Sequence, residues 1–416
     1  MLNKSTDILP VREQYALRDQ WLAKRIKTLV PMLMKECAVD LWIVFCSEYN
    51  EDPLFRSLAP ARVQYVSRTG CLLFSLKNGV FEAISCCRPN GAYRPFYRQA
   101  YDPKTQTQIE AIARVIEEKD PQAIAVNVSD AGGITDGLSK SRFGKLQQAL
   151  GGRPLITDSP LAMRVCETRL DEELTMYRHI YEIACRIQQE AYSPQVIRPG
   201  VTTTADVEYF ILQRISDMGL SAWFTPDVDV QREDGPAARL SDTVIQKGDL
   251  LHTDMGITYM GLCTDSQKLA YVLKDGEETA PAGLLAGMKQ GNRFQDLVRE
   301  EMLEGRTGNQ IFEASVKRAR EEGLRPMLYT HPIGVFGHSA GPNFGLYDQQ
   351  SSSLACGMPV LHDHTCYALE LNVLEKVPEW NKDVWFYIEE TILFAGGKAE
   401  FFDPEGRKEI RLIRCE

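Results

Sequence analysis

The sequence predicts an α/β domain followed by an α+β domain, and three observations carry that reading. The first 160 or so residues alternate helix-period and strand-period patterns without a catalytic constellation. The part beyond Gly219 is dominated by strand patterns and holds five of the six histidines. Four carboxylates in that part fall on two hairpins, one pair on each.

Taken in order, Arg12 to Ala38 carries Leu17, Trp21, Leu22, Ile26, Leu29 and Leu33 at helical spacing. Val39–Phe45 is a short apolar run of the kind a buried strand requires. Cys71–Leu76 and Val80–Ile84 flank Lys77-Asn-Gly79, a hairpin signal. Gln108–Lys119 reads as a helix and Ala123–Val126 as a further strand, and the Gly151-Gly-Arg-Pro154 cluster leads out of the domain. The boundary is expected near Arg164, giving domains 1–164 and 165–416. A charged helix from Asp171 to Tyr192 opens the second domain and stops at Arg198-Pro-Gly200; another runs from Thr204 to Met218 before Gly219.

Composition excludes several classes. The chain has 416 residues, 44% of them hydrophobic and 25% charged, which is globular rather than disordered. A net charge of −10 with no basic block argues against nucleic acid or an anionic membrane as partner. No apolar run approaches the roughly 18 residues of a membrane span, and the N-terminus lacks a secretory apolar core. Eleven cysteines without a spacing framework read as buried free thiols, so a cytoplasmic location is expected.

The chemistry is concentrated in the two hairpins. Leu250–Gly256 and Gly261–Tyr271 are strand-like, and a hairpin centred between Tyr259 and Met260 would place Asp254 directly opposite Asp265. Tyr367–Leu374 and Val384–Leu393 surround a turn centred between Glu379 and Trp380, which would place Glu370 opposite Glu389. One acid alone is ordinarily a solvated or ion-paired residue. Two facing pairs repel unless a cation or a shared proton lies between them. Four carboxylates can hold two divalent cations about 3.5–4 Å apart. Tyr329-Thr-His331-Pro-Ile-Gly334-Val-Phe-Gly337-His338 supplies two histidines on a glycine-rich segment able to approach such a site closely.

An Asp254–Asp265–His331–Glu370–Glu389 set in this order, with the first two eleven residues apart, resembles the pita-bread metallopeptidases: methionine aminopeptidase, Xaa-Pro aminopeptidase and prolidase. The His331-x-x-Gly334-x-x-x-His338 spacing is similar to the Xaa-Pro branch, and the preceding α/β domain is similar to the N-terminal domain of that branch and of creatinase. The opening Ile8-Leu-Pro-Val-Arg12 and Tyr49-Asn-Glu-Asp-Pro53 resemble a bacterial Xaa-Pro dipeptidase subfamily. The resemblance implies a pita-bread (creatinase/aminopeptidase) catalytic domain holding two divalent metal ions, Mn or Zn foremost and Co or Fe as alternatives. It implies that Asp254 chelates one metal and Asp265 bridges both. His331 and Glu370 bind the other, and Glu389 bridges. Catalysis would use Glu370 for proton transfer and His338 for the developing oxyanion, a metal-bridging hydroxide attacking the Xaa-Pro bond of a short proline-containing peptide. A homodimer is expected.

Three departures bear on substrate. Ala237 stands where the family places a substrate-contacting His about seventeen residues before the first metal Asp, and Tyr387 stands where many Xaa-Pro members carry Arg. The loop from Pro359 to Cys366 is longer than usual. Substrate contact is expected from His338 and Tyr387, with Xaa-Pro dipeptides favoured over longer peptides. The alternatives are a lyase on the same metal scaffold acting on a small zwitterion, and a metal-free peptide-binding module. Cys356, His362, His364 and Cys366 read as a polar loop entering a strand rather than a zinc site, and His252 as a neighbour of Asp254 on the same strand face.

Overall fold

The computed structural model describes residues 8–130 and 132–415. They form two compact units, one spanning Leu9–Leu170 and the other made mainly of Asp171–Glu416.

In the first unit, helix α1 (Val11–Lys24) passes through a π-turn at Arg25–Leu29 into α2 (Val30–Glu36). Pro31 has no N–H to complete the ladder, and the wider turn just before it absorbs that loss. Five strands follow: β1 (Leu41–Ser47), β2 (Thr69–Lys77), β3 (Val80–Ser85), β4 (Arg98–Gln99) and β5 (Ile124–Val126). Their order is β4-β3-β2-β1-β5. The β2–β3 turn is Asn78-Gly79, both with positive φ, which is the twist a two-residue hairpin needs. Helix α3 (Gln108–Lys119) starts at a Thr107/Glu110 capping box and packs Ile112, Val115 and Ile116 onto the sheet. Two shorter helices, α4 (Lys140–Ala149) and α5 (Leu161–Glu167), complete the unit.

The second unit opens with α6 (Asp171–Ala191) and α7 (Thr204–Asp217), then a two-residue β6 (Ser221–Ala222). Strands β7 (Asp227–Gln231) and β8 (Leu250–Met255) follow. The hairpin tip is β9 (Ile257–Tyr259) and β10 (Leu262–Cys263), and it returns as β11 (Ser266–Val272). Two long helices, α8 (Ala282–Glu301) and α9 (Gly308–Glu321), correct the expectation that strands dominate beyond Gly219. Gly283, Gly287 and Gly291 lower the helical signal of α8, yet they form a stripe four residues apart. A Cβ at Gly287 would meet the Phe386 ring and one at Gly291 would meet Ile388, so the stripe lets α8 lie close against the sheet. The last strands are β12 (Pro326–Leu328), β13 (His331–Ile333), β14 (Thr365–Val377), β15 (Lys382–Ala395), β16 (Lys398–Phe401) and β17 (Ile410–Ile413). A nine-stranded sheet runs β12-β14-β15-β11-β8-β7, with β13 on β14, β16 on β15 and β17 on β11.

Two registers position the acids. Glu370 pairs directly with Glu389, as a hairpin symmetric about Glu379–Trp380 requires. Asp254 does not pair with Asp265: its partner is Gln267. The turn is Met260-Gly261, both with positive φ, so the hairpin is centred one residue later than expected. Asp265 therefore sits diagonally from Asp254, two residues before Gln267 and just outside β11.

Candidate metal centre

Because side chains alternate along a strand, the register gathers one cross-strand row on a single sheet face: Asp227, Asp254, Gln267, Glu389 and Glu370. Asp265 and His331 join from one side. The Asp265 N–H donates to Thr391 Oγ1 at 3.2 Å, the Thr391 hydroxyl donates back to Asp265 O at 2.8 Å, and His331 pairs with Ala368, itself opposite Thr391. On the other side lie Asp229 opposite His252 and Tyr387 opposite Asn372. The reverse face takes Lys268 and Glu390, which pair with each other, and Glu390 also accepts from the Tyr181 hydroxyl.

Asp265, His331 and Glu389 are all buried, and one ligand atom from each lies within 4.8 Å of the others. His331 Nε2 is 3.7 Å from Asp265 Oδ2 and 3.7 Å from Glu389 Oε1. Its Nδ1 lies 3.1 Å from Pro332 O, the contact of an N–H donor, which leaves Nε2 as a bare lone pair. Burial and the neighbouring His338 push the His331 pKa down to about 3, so the ring is neutral. Among the described residues His331 Nε2, Asp254 Oδ1, Asp265 Oδ1 and both Glu389 oxygens have no hydrogen-bond partner. Lone pairs converging in a buried space repel unless a proton or cation lies among them. Two ligand atoms of one ion, each about 2.1 Å from it, are about 3–3.5 Å apart. The donor set thus fits a divalent cation.

Electrostatics agree. Burial first, and then the charge of neighbouring carboxylates, raises Asp265 and Glu389 well above their usual range. The same causes raise Asp254 to about 6 and Glu370 to about 8. Asp254 and Glu370 are only partly buried and share a donor: Gln267 Nε2 lies 3.2 Å from Asp254 Oδ2 and 2.6 Å from Glu370 Oε1. The structure thus gathers Asp265, His331 and Glu389 tightly and sets Asp254 and Glu370 around Gln267. His338 is solvent-exposed, with its ring edge-on to His331 at 4.4 Å and to Trp223 at 5.4 Å. The Trp223 indole donates to Thr264 O at 2.8 Å and fills the space that a Cβ on Gly256 or Gly337 would need. His364 is apart from this group, 2.9 Å from Asp363 and 3.2 Å from Asp171.

The sequence reading missed Gln267, Asp229, Arg239 and Trp223. Two of them were signalled by period two: Gln267 follows Asp265 by two residues, and Asp229 lies between Asp227 and Gln231 in Asp227-Val-Asp-Val-Gln231. Gln267 Oε1 is 3.1 Å from His252 Nε2, and His252 Nδ1 is 2.9 Å from Asp229 Oδ2. A buried polar chain therefore runs from Asp229 through His252 to the glutamine that touches two of the acids. Arg239 and Trp223 are brought in only by tertiary folding.

The fold is that of several solved peptidases. An X-Pro aminopeptidase from Thermotoga maritima matches with a TM-score of 0.65 at 17% identity, covering 92% of this chain and 99% of the other. A dipeptidase from Mycobacterium ulcerans matches at 0.63 and 17%, covering 97% and 99%. A Xaa-Pro dipeptidase from Bacillus anthracis matches at 0.62 and 17%, covering 96% and 99%. Such likenesses establish a pita-bread fold with mixed α/β domains. No curated protein matches the chain in sequence. The model of Metallopeptidase family M24 matches residues 175–395, a span containing every acid and histidine of the centre. The chain is therefore a member of metallopeptidase family M24.

Proposed function

We propose that this protein is a dinuclear metal-dependent peptidase that hydrolyses the Xaa-Pro bond of dipeptides or short peptides, working as a homodimer. The observation that carries the reading is the buried convergence of Asp265, His331 and Glu389 with their lone pairs unpartnered. Asp254 and Asp265 would hold one ion, His331 and Glu370 the other, with Asp265 and Glu389 shared between them. Mn or Zn suits an oxygen-rich set with one imidazole. When bound, two such ions polarise a scissile carbonyl and acidify water at neutral pH.

The chain's own groups supply the rest. Glu370 is partly exposed, so its carboxyl can carry a proton to the departing nitrogen. His338 is held edge-on by His331 and Trp223, and partial desolvation lowers its pKa. It is then neutral at pH 7 and donates one N–H to the oxygen that becomes negative. Metal-reconstituted protein should cleave Ala-Pro and Gly-Pro, and Ala-Pro-Pro less well. Absence of hydrolysis of all three with Mn or Zn supplied sinks the proposal.

A further inference from the structure

Gln267 is the uncharged member of the row Asp227, Asp254, Gln267, Glu389 and Glu370, paired with Asp254 on β8 and with Glu389 on β15. Its amide passes over the nearer Glu389, whose two oxygens have no hydrogen-bond partner among the described residues. Nε2 instead reaches Asp254 Oδ2 at 3.2 Å and Glu370 Oε1 at 2.6 Å. One amide thus spends its two N–H bonds on one proposed ligand of each ion and spares the carboxylate that both ions would share. We propose that Gln267 is a positioning residue that fixes the two end ligands, Asp254 and Glu370, while leaving Glu389 free, and that His252 holds it in that role. The inference rests on the two-metal peptidase reading above.

The amide can sit only one way round. A ligating carboxylate accepts and cannot donate, so the NH2 faces the two acids and Oε1 turns to the other side. There His252 Nε2 lies 3.1 Å from Oε1 and is its N–H donor. His252 is held in turn through Nδ1, 2.9 Å from Asp229 Oδ2, and Arg239 Nη1 donates to the same oxygen at 2.9 Å. Arg239 comes from the loop that folds back on β7, where Val230 and Leu240 exchange backbone hydrogen bonds of 3.0 and 2.9 Å. Gln267, His252 and Asp229 are all buried, so water does not replace a missing link. The three stand on β11, β8 and β7, adjacent strands of one sheet, and strands hold a site more precisely than loops do. A carboxylate anchored through one oxygen has its rotation fixed, which removes part of the ordering cost of taking an ion. Asp254 Oδ1, the oxygen that Gln267 leaves over, has no partner among the described residues.

Calorimetric titration of metal-free protein with Mn tests this, with circular dichroism reporting the fold of each variant. Gln267→Met keeps the length of the side chain and removes both donors. It should still bind two ions, each about 10- to 100-fold more weakly, the usual loss when a metal ligand is deprived of its hydrogen-bond partner. His252→Phe removes a residue that hydrogen-bonds to neither acid, yet it should weaken both ions in the same range. The double variant should lose no more than Gln267→Met alone, because His252 acts through Gln267. Wild-type affinity in Gln267→Met, weakening at one position only, or losses that add in the double variant overturns the proposal. If Gln267→Met does not fold, unchanged affinity in His252→Phe overturns it by itself. So does a wild-type protein that binds no Mn. Calorimetry reads metal and not turnover, so two bound ions that Gln267→Met weakens, without cleavage of Ala-Pro by wild type, end the peptidase reading and leave the positioning role standing.

Discussion

His331 and His338 have ring centroids only 4.4 Å apart, yet one is buried against two carboxylates and the other is open to solvent. Their substitutions should therefore separate. His331→Ala is expected to lower metal occupancy at one position, whereas His338→Ala should keep its metal and lose about 10²–10³ in kcat. Metal stoichiometry and kcat on both variants check this, and full occupancy in His331→Ala would remove its ligand role. Asp52 in the first unit makes a different prediction. It is fully buried, accepts from Asn127 Nδ2 at 2.8 Å and from Leu54 N–H at 2.9 Å, and burial raises its pKa from 3.8 to about 6. The folded state thus binds the proton more tightly than the unfolded state. This group favours folding most below about pH 4, and its contribution declines as pH rises through 6. The stability of wild type minus that of Asp52→Asn should fall by up to about 3 kcal/mol between pH 4 and 7, measured by urea unfolding. A flat or rising difference contradicts the assignment.

Helix α8 and helix α4 each contain glycine for different reasons. Gly287 faces the Phe386 ring on β15, and an added methyl has no room; Gly144 in α4 has nothing within 4 Å of where a Cβ would stand. The same substitution should have opposite signs. Gly287→Ala should destabilise by about 1–3 kcal/mol through overpacking. Gly144→Ala should stabilise by about 0.5–1 kcal/mol by restricting the unfolded chain and favouring the helix. Denaturant midpoints measure both. A neutral Gly287→Ala would mean that α8 does not depend on close approach to the β14–β15 hairpin.

For the whole molecule, the cost of gathering four raised carboxyls and an imidazole on one face falls on the metal-free protein. Binding two divalent ions should raise its melting temperature, by about 4 kcal/mol of stability per site at a thousandfold excess over Kd. Elemental analysis of reconstituted protein should give about two ions per chain, and less than half an ion would overturn the dinuclear reading. Asp265→Asn should raise the stability of metal-free protein, because it removes a buried repelling charge, and abolish most of the gain from added metal. Sedimentation of the reconstituted protein tests the proposed dimer.

Local chemistry was enough for much of this. Asn78-Gly79 announced its hairpin because those residue types favour positive φ, and Glu370 and Glu389 could be paired because the turn between them is symmetric. The fold class was legible because strand periodicity and motif order are properties of the chain itself, and the order of motifs also singled out Asp265, His331 and Glu389, which the fold brings together. Met260-Gly261 adopts the same turn, but methionine does not signal it; a one-residue difference moved Asp254 from Asp265 to Gln267. Helix α8 was hidden by glycines whose purpose lies in the sheet they touch. Arg239 came from a loop that returns to β7 and Trp223 from a segment wedged between Gly256 and Gly337. Period and turn propensity act within a few residues, so sequence by itself determined the fold class, the Asn78-Gly79 turn and the order of the candidate donors. Which neighbours approach them across the fold depends on packing between distant segments, and only the tertiary structure decided that.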